Sequence, residues 1–174
     1  MAFERIGSES VYDGKIFTVR RDRFRYEDGE EADREIVAHP GAVGVVAHDG
    51  ERLYLVRQPR EAVDDDSVLE IPAGKLDEEG EEVVETAKRE LAEEIGKGAR
   101  EWRLITRYWS SVGFTDEEVH VYLATNLYDE SADAGEEERI EVDAVPLDRL
   151  DEVIASCRDA KTLVGLLWLK AYGG

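Results

Sequence analysis

Cysteine is almost missing from this sequence. Cys157 stands alone among 174 residues, so no disulfide can close within the chain, and a reducing cytoplasmic compartment is the natural expectation. Its neighbours Leu150, Val153 and Ile154 recur at helical spacing, which points to a packed thiol rather than a nucleophile. Long apolar runs are missing too. Nothing approaches the ~18 residues of a membrane span. Met1-Ala2-Phe3-Glu4-Arg5 lacks the basic-then-apolar layout of a signal peptide. The three histidines, His39, His48 and His120, fall on an expected turn, loop and strand, without metal-ligand spacing. No Gly-rich P-loop and no Ser-His-Asp order occurs, which disfavours a hydrolase built on a protein nucleophile. Positive charge is scarce: 22 basic residues, six of them lysine, face 42 acidic ones for a net charge of −20. Neutralising nucleic-acid phosphates needs clustered Lys and Arg, so that class of partner is disfavoured.

Acidic residues are what the chain has in excess, and one segment orders them. After Ala73-Gly74, residues 81–96 read Glu-Glu-Val-Val-Glu-Thr-Ala-Lys-Arg-Glu-Leu-Ala-Glu-Glu-Ile-Gly. At ~100° per residue, Val84, Ala87 and Ile95 lie within ~40° of Leu91 and form a buried stripe. Glu90 and Glu94 then stand side by side along one edge of it, with Glu93 one step further round. Carboxylates at such spacing repel, so a helix gains nothing from them unaided. A hard divalent cation reverses the sign of that repulsion, because Mg²⁺ prefers carboxylate oxygens and keeps water and substrate phosphate as further ligands. A merely solvated acidic face is the competing reading.

The remaining pattern predicts one mixed α/β domain with a sheet covered by helices, preceded by a small N-terminal β subdomain over residues 1–40. Lys15 to Tyr26 reads as a strand, Asp28-Gly29 as a turn, and Arg34-Glu35-Ile36-Val37 as a further extended piece ended by His39-Pro40-Gly41. Ala42–Ala47 and Arg52–Arg57 flank Asp49-Gly50, a hairpin signal. Leu69 to Pro72, Trp102–Trp109, Val119–Asn126 and Arg139 to Val142 complete the expected strands. Helices are expected over Leu147–Cys157 and Ala160–Ala171, the second with Leu163, Leu166, Leu167 and Lys170 at helical spacing and with Trp168 and Leu169 packed.

The acidic helix resembles the Nudix box: Gly, five residues, Glu, seven residues, Arg-Glu-apolar-any-Glu-Glu-any-Gly-apolar. Glu81 to Arg89 has the seven-residue gap, and Arg89-Glu90-Leu91-Ala92-Glu93-Glu94-Ile95-Gly96 fits without interruption. Gly74 to Glu81 encloses six residues instead of five, an insertion that a surface loop absorbs cheaply. Lys97 replaces the last apolar residue, at a helix C-terminus that suits a cation. Further segments resemble the ADP-ribose pyrophosphatase branch of that family: Ala38 to Val43, Gln58-Pro59-Arg60, Glu70-Ile71-Pro72-Ala73-Gly74, Ser110 to Glu117, and Asp159-Ala160-Lys161-Thr162-Leu163. Val112 stands where that branch carries a proline, a departure that bears on substrate rather than on reaction class.

The resemblance implies an α/β/α sandwich and Mg²⁺-dependent hydrolysis of ADP-ribose to AMP and ribose 5-phosphate, with Mn²⁺ a substitute. It places the backbone carbonyl of Ala73 with Glu90, Glu94 and Glu118 around metal, and Glu93 and Arg89 in the catalytic machinery. Arg89 points away from the stripe, which predicts pairing with box carboxylates. Arg60 matches a phosphate-binding position, suited to a planar guanidinium. Arg34 and Glu35 match a pair contacting the adenine end, and Gly74 lines the site. The water-activating base falls at Glu117, on the flexible loop that follows Ser110, with Glu118 as runner-up. Relatives pair two subunits through the N-terminal region, so a homodimer is expected, and Phe17 or Phe24 could stack on adenine. Another nucleoside diphosphate sugar or compound is the alternative substrate. A non-catalytic nucleotide-sugar sensor is the reading from another class, disfavoured by the intact box carboxylates. A polyanion repels such a substrate at long range, whereas at 1 M salt the screening length is only ~3 Å. With the runs Asp64-Asp65-Asp66 and Glu136-Glu137-Glu138, this points to a salt-adapted protein, testable by circular dichroism against KCl.

Overall fold

Turn residues cut the first forty positions into three antiparallel strands, in the order β1 (Phe3–Asp13), β2 (Thr18–Tyr26), β3 (Glu31–Ala38). The β2–β3 turn is closed by Gly29, whose φ of 86° is open to glycine at no steric cost. The pairing of β1 with β2 slips between Arg5 and Gly7 and again between Ser10 and Tyr12. This computed structural model describes residues 2–131 and 139–173, and the run Glu136-Glu137-Glu138 lies outside them. The chain divides into two compact units. The first runs to Gly41 and also takes in Tyr108–Glu118. Within it the returning segment is bonded to the end of β3: the Val37 N–H donates to Phe114 O at 2.8 Å, and the Asp116 N–H to Val37 O at 3.3 Å.

The second unit is built on a seven-stranded mixed sheet. Its strands are β4 (Ala42–His48), β5 (Arg52–Arg60), β6 (Asp65–Glu70), β7 (Ala73–Lys75), β8 (Lys97–Trp109), β9 (Glu118–Asp129) and β10 (Glu141–Pro146). The order is β10-β5-β4-β9-β8, with β6 paired to β5, β7 paired to β4, and β4 parallel to β9. Central β4 is covered on both faces, which is why it reads as an unbroken apolar run. The β4–β5 hairpin turns at Gly50, φ 96°. Asp49 secures it by accepting from the Arg52 and Glu51 N–H groups at 2.7 and 2.9 Å and from Tyr54 Oη at 2.8 Å. The Arg52 amide, with the Glu51 amide and Tyr54 assisting against burial, lowers the Asp49 pKa to about 2.

Helix α1 (Val83–Ile95) buries Ala87, Leu91 and Ile95 against Val43, Val45 and Ala47 of β4. Helix α2 (Leu150–Ser156) follows a 3-10 turn at Leu147–Arg149. Cys157 lies just past it, half-buried, its thiol pKa pushed up by burial. Helix α3 (Ala160–Tyr172) starts at Asp159, whose carboxylate accepts from the Thr162 N–H and hydroxyl at 2.9 and 2.7 Å. The buried face of α3 is Thr162, Gly165, Leu166 and Leu169. The expectation of Leu167 on that face is corrected, since it is 51% exposed. The reason is close approach: Gly165 sits against Val46, where a Cβ would stand 2.7 Å from Cγ2, and this turns the helix around its smallest residue. Val46 alternates with Val45 along β4, so α3 and α1 cover opposite faces and the unit is an α/β/α sandwich.

Candidate active site

The box carboxylates are assembled by α1 and by the turn from Pro72 into β7. Glu94, buried on α1, accepts from the Ala73 N–H at 3.0 Å through Oε2. One turn earlier, the Glu90 carboxyl lies over the α-carbon of Gly74, occupying the place a side chain there would need. Ala73, Gly74, Glu90 and Glu94 are thereby brought together. Arg89 leaves the apolar stripe and gathers the other acids. Its Nη1 donates to Glu90 Oε1 at 2.9 Å and to Glu93 Oε2 at 3.1 Å, while Nη2 and Nε reach Glu81 at 3.3 and 3.4 Å. Thr86 Oγ1 donates to Glu81 at 2.8 Å. Burial opposes the Arg89 charge, but the Glu81 hydrogen bond and the Glu90, Glu81 and Glu93 charges outweigh it and raise its pKa. The Arg89 hydrogen bond in turn holds Glu81 below the usual carboxylate range.

Among the described residues no three His, Cys, Asp or Glu side chains stand together as a ready cation site. The donor set still fits a hard divalent cation. Its side chains offer carboxylate oxygens, and the Glu90 carboxyl is seated where only a glycine leaves room.

Arg60, at the end of β5, is held by a carboxylate that sequence reasoning left without a role. Glu70 is 1% exposed and accepts from Arg60 Nε at 2.6 Å and Nη2 at 2.8 Å. Lys161, in the first turn of α3, also bonds Glu70 Oε2 and lies 3.1 Å from Asp159 Oδ1. Burial acts to raise the Glu70 pKa, but Arg60 and Lys161 together carry it below its ordinary value. Glu70 and Lys161 both fall in segments singled out in the sequence. Their pairing spans 91 positions and leaves no local signal.

The first unit carries the other expected residues. Arg34 and Glu35 line a cavity of about 300 Å³ together with Phe3, Phe24, Tyr26 and Phe114. Arg34 donates to Tyr26 Oη at 3.1 Å and to Asp33 O at 2.9 Å. Phe3 and Phe24 meet edge to face at 5.4 Å. Phe17 instead packs by Tyr12, at 5.9 Å, outside that lining. Glu117 and Glu118 lie at the end of the returning segment. His39 Nδ1 accepts the Gly41 N–H at 3.1 Å and stands 3.4 Å from Glu117 Oε1, a neighbour that the sequence did not suggest. Asp116 accepts from the His39 N–H at 3.0 Å and meets Arg20 at 2.9 Å. Arg20 in turn bonds the fully buried Asp22 at 2.9 Å, as do Ser8 at 2.6 Å and Arg5 at 3.2 Å. Val112 is 83% exposed.

Residues 38–163 match the NUDIX domain family, and residues 3–37 match the nucleoside diphosphate sugar hydrolase N-terminal domain. The chain is 39% identical over 170 residues to the ADP-ribose pyrophosphatase of Bacillus subtilis, covering 95% of this chain and 91% of that protein. It is 36% identical over 171 residues to the methanol dehydrogenase activator of Bacillus methanolicus, with the same coverage of each. A crystal structure of an ADP compounds hydrolase superposes with a TM-score of 0.86 at 22% identity, over 99% of this chain and 94% of that one, and so shares its fold. With the box carboxylates Glu90, Glu93 and Glu94 present on α1 and the family match spanning most of its length, the chain belongs to the Nudix hydrolase family, as a pyrophosphohydrolase on the branch that holds the ADP-ribose pyrophosphatases.

Proposed function

We propose that the protein hydrolyses the pyrophosphate bond of ADP-ribose, giving AMP and ribose 5-phosphate, with Mg²⁺ as the working cation and Mn²⁺ able to replace it. The carrying observation is the convergence of Glu90, Glu94 and the Ala73 backbone around Gly74. These residues would hold the cation, with Glu118 as a further oxygen donor. A divalent cation there supplies charge neutralisation at the diphosphate and a lowered pKa for water. Arg89 and Glu93 order the carboxylates, and Glu117 takes the proton from water as general base. Arg60 binds a phosphate through the guanidinium edge that Glu70 leaves free. Arg34 and Glu35, beside the aromatic wall of the first-unit cavity, receive the adenine end, where Phe24 and Tyr26 offer ring surface.

The three-stranded sheet and its β1–β2 connection leave Phe3, Val11, Tyr12 and Ile16 more than half exposed, which supports their use in a homodimer. Light scattering at micromolar concentration tests that assembly, and a fully active monomer would refute it. The activity is tested by release of AMP from ADP-ribose with Mg²⁺, Mn²⁺ or EDTA, run beside other nucleoside diphosphate sugars. Exposed Val112 keeps the second reading, another nucleoside diphosphate compound, in that comparison. Absence of AMP release with every cation would overturn the proposal.

A further inference from the structure

A buried carboxylate with two cations on it is an uncommon object in a chain with only six lysines. Glu70 sits at the end of β6 and clasps Arg60 side-on, through Nε and Nη2. Side-on pairing uses two of the five guanidinium N–H groups, leaving the Nη1–Nη2 edge with its own bidentate geometry. Nη1 has no protein partner among the described residues, and the Arg60 side chain is 43% exposed. Arg60 lines a cavity of about 320 Å³ with Val63, Val68, Glu70, Arg158 and Lys161, and the charge of Glu94 also acts on its guanidinium.

Lys161 completes this arrangement from the first turn of α3. Its Nζ bonds the Glu70 oxygen that also receives Arg60 Nη2, and Asp159, which caps α3, holds the ammonium at 3.1 Å. The neighbouring Thr162 hydroxyl accepts the Ile71 N–H at 2.8 Å, so the first turn of α3 is tied to the residue after Glu70 as well. Two bonds from one helix turn thus fix the carboxylate on which the guanidinium rests. Removing Lys161 leaves Glu70 with Arg60 as its one cation and lets the carboxylate rotate with it.

We infer that Lys161 is a positioning residue: acting through Glu70, it aims the free edge of Arg60 at a phosphate of the substrate. The inference rests on Arg60 as a phosphate ligand, so the experiment separates the two. KM and kcat for ADP-ribose are measured with Mg²⁺ for the full-length R60A, K161M, K161R and R60A/K161M proteins. R60A raises KM. K161M raises KM about tenfold, the scale of one coupling within a charged network, with kcat within about twofold. K161R restores KM. In the R60A background K161M adds less than about twofold, because the group it aims is gone. Should K161M lose its fold by urea unfolding, K161Q, which keeps an N–H donor, carries the same cycle. A KM unmoved by K161M while R60A raises it overturns the positioning role alone, as does an undiminished K161M effect without Arg60. A KM unmoved by R60A removes Arg60 from substrate binding, and the inference with it.

Discussion

Gly74→Ala asks whether the seat of Glu90 matters to the chemistry. An alanine Cβ at this position would stand 2.5 Å from Glu90 Cγ, with the carboxyl carbon and Oε1 closer still. Carbon atoms rest at about 3.5–4.0 Å, so the carboxylate must retreat by about 1 Å or more. Gly74 is not among the glycines of positive φ, and alanine can therefore take its backbone conformation. The obstructing atoms are the far end of a flexible side chain, so the fold accommodates the change. A misplacement of about 1 Å at a reacting centre costs about 10²-fold. The expected result is a kcat/KM for ADP-ribose about two orders of magnitude lower, a higher Mg²⁺ concentration at half-maximal rate, and a urea midpoint close to that of the unaltered protein. The assay is AMP release across a Mg²⁺ titration, with urea unfolding alongside. Unchanged kcat and unchanged Mg²⁺ dependence in a folded Gly74→Ala protein would refute the placement of Glu90 as a metal-binding carboxylate.

Glu117→Gln lowers kcat by about 10²-fold or more with KM largely kept, as for loss of a general base; if Glu118→Gln loses activity while Glu117→Gln does not, the roles are exchanged. Thr162→Val keeps the side-chain volume but strands the buried Ile71 N–H, which donates to Thr162 Oγ1 at 2.8 Å. It should cost about 1–3 kcal/mol by urea unfolding, and a loss below about 0.5 kcal/mol would show that bond to be dispensable. Asp49, with its pKa lowered from 3.8 to about 2, stabilises the folded state above its unfolded pKa and loses that contribution as pH falls from about 4 through 2. The stability gap between the unaltered protein and Asp49→Asn should close over that window, and a gap constant from pH 7 to 2 would contradict the assignment.

What the sequence disclosed and what it hid follow the range of the interactions. Helix α1 was legible because Ala87, Leu91 and Ile95 repeat with the helical period and Gly96 stops the helix at φ 66°. The β4–β5 hairpin was legible because Asp49-Gly50 carries its own turn chemistry. Strand β1 was not, since all but one of its residues, Ile6, are exposed and no alternation marks a face. The α3 face was misjudged because a glycine, not a leucine, makes its closest approach to the sheet. In the site, Arg89 and its acids lie within one helix and its entry loop, where spacing alone brings them together. Glu70, Asp22 and the His39–Glu117 contact instead depend on partners up to 91 positions away, so nothing nearby distinguishes them from surface charges.

The first unit is discontinuous in the chain: it is left at Gly41, re-entered at Tyr108 and left again at Glu118. The N-terminal family match stops at residue 37, yet the backbone of Val37 is bonded through its N–H to Phe114 and through its C=O to Asp116. An exchange of N-terminal segments between relatives, cut where that match ends, would therefore transplant only part of a folding unit. Recombination that respects the physical boundary must carry Tyr108–Glu118 with the N-terminal strands. A chimera lacking that second piece presents β3 to a loop shaped for another protein, and the loop it disturbs is the one that bears Glu117.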